Sequence, residues 1–153
     1  MAKKLKIMDY PKYKMVDGRR YGPTTNNRYY QPAYYHNPVE TVHKKGKKAK
    51  QQEHEDKTHW ILTKPQQFHV FKTGDENDII DQRGIYSALN NCKEILGEDG
   101  QRLAIFETPR DENWHGYPIF SWEKPISEDI ADKMVKAQMI NIITKQKIID
   151  GRI

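Results

Sequence analysis

Large aromatic side chains are divided unevenly along this chain, and that division limits what can fold. All three tryptophans and all four phenylalanines lie after residue 57, whereas seven of the nine tyrosines lie before it. Residues 1–57 hold 14 Lys/Arg against 6 Asp/Glu, and residues 58–153 hold 12 against 15. A stretch poor in Trp, Phe and Leu has little apolar area to offset the entropy of ordering its backbone. Residues 1–57 therefore read as an extended or disordered basic arm. Residues 58–153 read as one small globular α+β domain.

The arm has its own texture. Pro11, Pro23, Pro32 and Pro38 are spaced among tyrosines, a density that blocks helices and sheet interiors and favours extended chain. KKGKKAK (44–50) is a like-charge run, and QQEHEDK (51–57) is a polar linker.

In the second part, HWILT (59–63) has strand character and Pro65 interrupts it. QFHVFK (67–72) alternates as a strand would, with Phe68 and Val70 on one face. IYSALNNCKEIL (85–96) carries a helical stripe of Ile85, Leu89, Cys92 and Leu96, with Gly97 as a stop. RLAIFE (102–107) reads as a strand buried on both faces, PRDENWHGYP (109–118) as a loop, and PIFSW (118–122) as a strand. Ser127 caps a helix over 128–139, and a short helix follows over about 145–150. The expected order is ββαββαα: a small sheet of about four strands with a C-terminal helical pair. The passage from 67 to 107 would be a right-handed crossover.

The start, MAKKLKIMDYPKYKM, lacks the apolar stretch of a secretory signal. No apolar run reaches the ~18 residues that span a bilayer. Cys92 is the single cysteine, so no intrachain disulfide is possible. These features point to a cytoplasmic protein without a membrane role. In a eukaryotic host KKGKKAK would also serve as a nuclear address.

The arm is the leading candidate interface. Cationic side chains neutralise phosphate, and tyrosine rings stack on unpaired bases. Arg19, Arg20, Arg28, Lys44, Lys45, Lys47, Lys48 and Lys50 supply charge. Tyr21, Tyr29, Tyr30, Tyr34 and Tyr35 supply rings. The partner would be RNA, DNA or a larger protein or nucleoprotein assembly. A rigid arm buried against its own globular half would overturn this and shift attention to the turn around Trp114.

That turn, ETPRDENWHGYP (107–118), holds a second candidate. His115 would act as a general base, with Arg110 as an anion clamp and Asp111 beside them. Its bland alternative is a polar turn with Trp114 tucked into the core. His69 is expected to be a half-buried structural residue. The acidic loop at 73–81 lacks calcium-loop spacing, and His54 and His59 do not form HExxH, so neither metal nor cofactor is expected. The tail beyond Ile126 reads as a packed helical hairpin rather than a DNA-reading helix–turn–helix.

Three functions follow. The first is a non-enzymatic binding protein whose arm engages nucleic acid or a nucleoprotein assembly. The second is a protein-interaction module of a bacterial or phage defence or toxin–antitoxin type system. The third is a small nuclease or hydrolase using the 107–118 loop.

Overall fold

The structure is a computed structural model that describes residues 11–37, 58–110 and 112–153, with backbone alone at 108–110. Five strands form one sheet: β1 (Tyr29–Tyr30), β2 (Ile80–Asp81), β3 (Gly84–Ser87), β4 (Leu103–Arg110) and β5 (Asn113–Ile119), in the order β1-β5-β4-β3-β2. β1 runs parallel to β5, and the other neighbours are antiparallel. Three α-helices complete it: α1 (Lys64–Glu76), α2 (Glu128–Lys136) and α3 (Ile142–Ile149). The α+β class is as expected, with five strands instead of four. Among the described residues no helix is long and apolar enough to cross a membrane.

β4 organises the core because its alternate side chains feed opposite faces. Leu103 and Ile105 join Ile119, Ile130, Met134 and Ile148 beneath α2 and α3. Ala104 and Phe106 join Trp60, Phe68, Phe71, Trp114 and Tyr30 beneath α1. The helices thus cover a strand buried on both sides, as RLAIFE suggests.

Residues 67–72 are helix, not strand. Thr63 and Gln66 form a reciprocal capping box: the Thr63 hydroxyl accepts from the Gln66 amide at 3.4 Å, and the Gln66 side chain accepts from the Thr63 amide at 2.8 Å. Pro65 sits in the first turn, where its missing N–H costs nothing. The buried set Gln67, Phe68, Val70, Phe71, Gly74 and Asp75 has a helical period. No crossover spans 67–107, since β2 to β5 are antiparallel neighbours.

Residues 85–96 are not helical either. β3 ends at Ser87, and Asn90, Asn91 and Cys92 follow with φ of 51°, 56° and 62°, a left-handed run no right-handed helix accommodates. Ile85 and Leu96 then enter one core and Cys92 the other. Trp60 makes an isolated bridge to Gly97 rather than a strand. The expected loop at 109–118 is largely β5.

The C-terminal pair is present. The Ser127 hydroxyl accepts from the Ile130 amide at 3.2 Å to start α2. The Asn141 side chain accepts from the Thr144 amide at 2.8 Å, starting α3 a turn earlier than expected.

Residues 13–37 pack into this unit, so the division at 57/58 does not separate packed from unpacked chain. Tyr30 is fully buried, its ring 5.8 Å from Phe71 and 5.5 Å from Phe106, and its hydroxyl donates to Gln67 at 2.6 Å. Tyr21 stacks on Phe68 at 5.6 Å. The buried Asp75 carboxylate receives Arg28 at 2.6 Å, the Thr24 hydroxyl and the Asn26 amide. Tyrosine combines a large apolar ring with a polar tip, so a tyrosine-rich stretch supplies core area that a count of Trp and Phe overlooks.

Candidate functional site

The end of β4 and the middle of β5 bring a polar group onto the sheet face that carries α2 and α3. Glu107 continues the side of Leu103 and Ile105, and on β5 His115 and Tyr117 continue the side of Ile119. The register pairs Ile105 with Tyr117 and Glu107 with His115. The Tyr117 hydroxyl donates to Glu107 Oε2 at 2.8 Å. Lys124 Nζ lies 3.8 Å from the same oxygen and 5.6 Å from the Tyr117 ring centre. Both partners of that ion pair are well exposed, so it contributes at most ~1 kcal/mol. Burial, then the Glu107 hydrogen bond and charge, push the Tyr117 hydroxyl well above the usual tyrosine range, so it stays a donor. On β3, burial and the Asp81 charge likewise push Tyr86 up to about 12.

A row of rings reaches this group. A 3-10 turn, Tyr34–His36, follows β1. Tyr34 meets Tyr35 edge-on at 5.1 Å, Tyr35 meets His36 at 4.7 Å, and His36 stacks on Tyr117 at 4.7 Å with planes 19° apart. Tyr34, at the outer end, is 49% exposed.

The described residues end at Asn37 and resume at Thr58, and bonds made by His36 join the two segments. His36 Nδ1 donates to the Thr58 carbonyl at 2.8 Å, and the Trp60 amide donates to the His36 carbonyl at 2.9 Å. The Thr58 hydroxyl donates to the Pro118 carbonyl at 3.2 Å. Asn37 is held from both sides, donating to Ala33 at 2.6 Å and accepting from Gln67 at 2.6 Å.

The expected interface residues are therefore dispersed. Tyr21 and Tyr30 are core. Arg28 serves Asp75. Arg20 lies 3.9 Å above the Tyr29 ring and donates to Asp17 at 3.2 Å and Asn113 at 3.0 Å. Arg19 is exposed, and Tyr34 and Tyr35 belong to the ring row. Lys44, Lys45, Lys47, Lys48 and Lys50 lie outside the described residues, as does Asp111. Arg110 pairs with Asn113 in the strand register, without a described side chain. Trp114 is tucked into the α1 face, 8% exposed, while His115 lies on the other face. His69 is half-buried on α1. Sequence reasoning placed Glu107 and Tyr117 in the 107–118 stretch without a role, and it missed His36 and Lys124. The alternation of 103–107 continued into 115–119 was the available signal.

No family model, curated protein or solved structure matches this chain.

Proposed function

We propose that this protein binds single-stranded nucleic acid at the ring row, with the lysines of 44–50 supplying charge. The support is one juxtaposition: Tyr34, Tyr35, His36 and Tyr117 line up beside the bond that joins His36 to Thr58, two residues between which Lys44, Lys45, Lys47, Lys48 and Lys50 lie in the sequence. Stacking contributes ~1–3 kcal/mol per base, and each neutralised phosphate on a single strand adds ~0.7 to the salt slope. This moves the arm's role from its buried tyrosines to the stretch between Asn37 and Thr58. The test is fluorescence anisotropy with a labelled oligonucleotide at several salt concentrations. Affinity is expected to fall steeply with salt, and replacing the five lysines by glutamine reduces the slope by up to ~3.5. Tyr34→Ala weakens binding about 5-fold or more without altering the slope. A flat salt response defeats the proposal.

One observation favours a second reading. Glu107 and His115 face each other across β4 and β5, and Tyr117 orients the carboxylate. A carboxylate and an imidazole side by side on one sheet face are the kind of pair that transfers protons to and from a scissile ester. The protein would then be a small nuclease or hydrolase, and a folded His115→Ala variant would lose cleavage of the bound strand. An oligonucleotide left intact by the wild-type protein removes this reading.

A further inference from the structure

A second recess lies away from the ring row. α1, the β3–β4 connection and the α2–α3 turn flank an open cleft of about 670 Å³, within the ~300–1,000 Å³ typical of small-molecule sites. None of its lining residues is Asp, Glu, Lys or Arg. Its one imidazole, His69, has its pKa lowered by burial and then by the Lys72 charge, both of which disfavour the cationic form. A charged ligand would meet no opposite charge in this lining, and a wholly apolar one would strip water from side-chain amides.

Those amides are the second observation. Asn77, Asn90, Asn91, Gln138 and Asn141 line the cleft. The Asn91 side-chain oxygen accepts from the Asn141 backbone N–H at 2.9 Å, and the Met139 carbonyl accepts from the Asn91 backbone N–H at 3.1 Å, so the two rims are joined. Asn90 and Gln138 make no side-chain hydrogen bond among the described residues. The backbone adds a third. Asn90, Asn91 and Gln138 have φ of 51°, 56° and 63°. Asparagine enters this region readily, and at Gln138 it closes the C-terminal turn of α2, where the Met139 amide donates to the Met134 carbonyl at 2.9 Å, so these turns fix where the carboxamides stand.

We propose that this cleft binds an uncharged nucleobase, with a purine edge against the carboxamides and its faces against Leu89 and Val135. A carboxamide presents a donor beside an acceptor, the pattern that pairs with adenine in two hydrogen bonds. The base reaches the cleft either as a free nucleoside or unpaired within a strand. The free-nucleoside form is independent of the lysine-based reading above, and the in-strand form rests on it.

The experiment titrates each of four neutral nucleosides, and a neutral disaccharide as control, into the full chain. The readout is the side-chain amide signals of Asn90, Asn91, Gln138 and Asn141. Adenosine is expected to shift them at millimolar concentration, equally at about 50 and 200 mM salt. Asn90→Gly and Gln138→Gly, which keep the backbone conformation, should each weaken binding roughly 5-fold or more. A folded Gln138→Glu variant gives the same loss without loosening the turn. An oligoadenylate compared with one abasic at a single position separates the sources: adenosine binding assigns a free nucleoside, and loss only with the abasic strand assigns a strand base. The proposal is overturned if neither adenosine nor the oligoadenylate moves these amides, if the disaccharide moves them as readily, or if the glycine variants bind as wild type does.

Discussion

Arg28 holds its guanidinium 2.6 Å from Asp75, whose side chain is completely shielded from solvent. The pair joins the N-terminal segment to the last turn of α1. A buried carboxylate deprived of its cation costs ~3–5 kcal/mol. Thr24 and Asn26 still bond Asp75 in a variant, so Arg28→Met should lose about 2–4 kcal/mol. Urea unfolding measures this. A change under 1 kcal/mol would mean the rings and the remaining hydrogen bonds hold the segment without this pair.

The same attachment bears on truncation. Tyr30 is enclosed by Phe71 and Phe106, and β1 covers the edge of β5. Removing residues 1–57 opens that core, so the 58–153 fragment should lack a cooperative thermal transition. Tyr30→Ala in the full chain should cost ~3–5 kcal/mol, the range for large aromatic truncations. A fragment that melts like the intact protein would refute both statements.

Gly74 reverses the usual helix rule. Alanine inside a helix is normally better than glycine by ~1 kcal/mol. Here a Cβ would run into the Tyr86 carbonyl and approach the Ser87 side chain at 2.9 Å. Gly74→Ala should therefore destabilise by ~1–3 kcal/mol, because α1 must lift from β3. A midpoint at or above that of the wild type would show that the helix rises without cost.

His69 sets a pH dependence. Burial, then the Lys72 charge, lower its pKa in the folded chain, while the unfolded chain titrates near ~6.5. The unfolded state therefore binds more protons between the folded value and ~6.5. Stability from this group is complete above ~6.5 and is lost as pH falls through that window. Subtracting the unfolding free energy of His69→Gln from wild type at a series of pH values isolates it. A difference that does not change below ~6.5 would contradict the assignment.

Features carried by neighbouring residues were legible in the chain itself. Ser127 followed by acidic residues marks the start of α2, and RLAIFE marks a strand with two apolar faces. The lysine run at 44–50 is visible as a charge pattern. Short windows that suit two structures were not decidable locally. QFHVFK alternates well enough for a strand and has helical spacing as well, and the Thr63–Gln66 box with the fit of Gly74 on β3 selects helix. The stripe from Ile85 to Leu96 was interrupted by asparagines, which enter left-handed backbone readily.

The sequence alone established that the charge is uneven, that one cysteine precludes an internal disulfide, and that five lysines crowd into residues 44–50. Tertiary structure decided what the tyrosines do. Whether a tyrosine ring is a ligand platform or part of a core depends on which residues surround it. Phe71 and Phe106 come from 41 and 76 positions beyond Tyr30, and Tyr117 from 81 positions beyond His36. Contacts at that separation are made by the sheet order and register, which no local pattern of residues specifies.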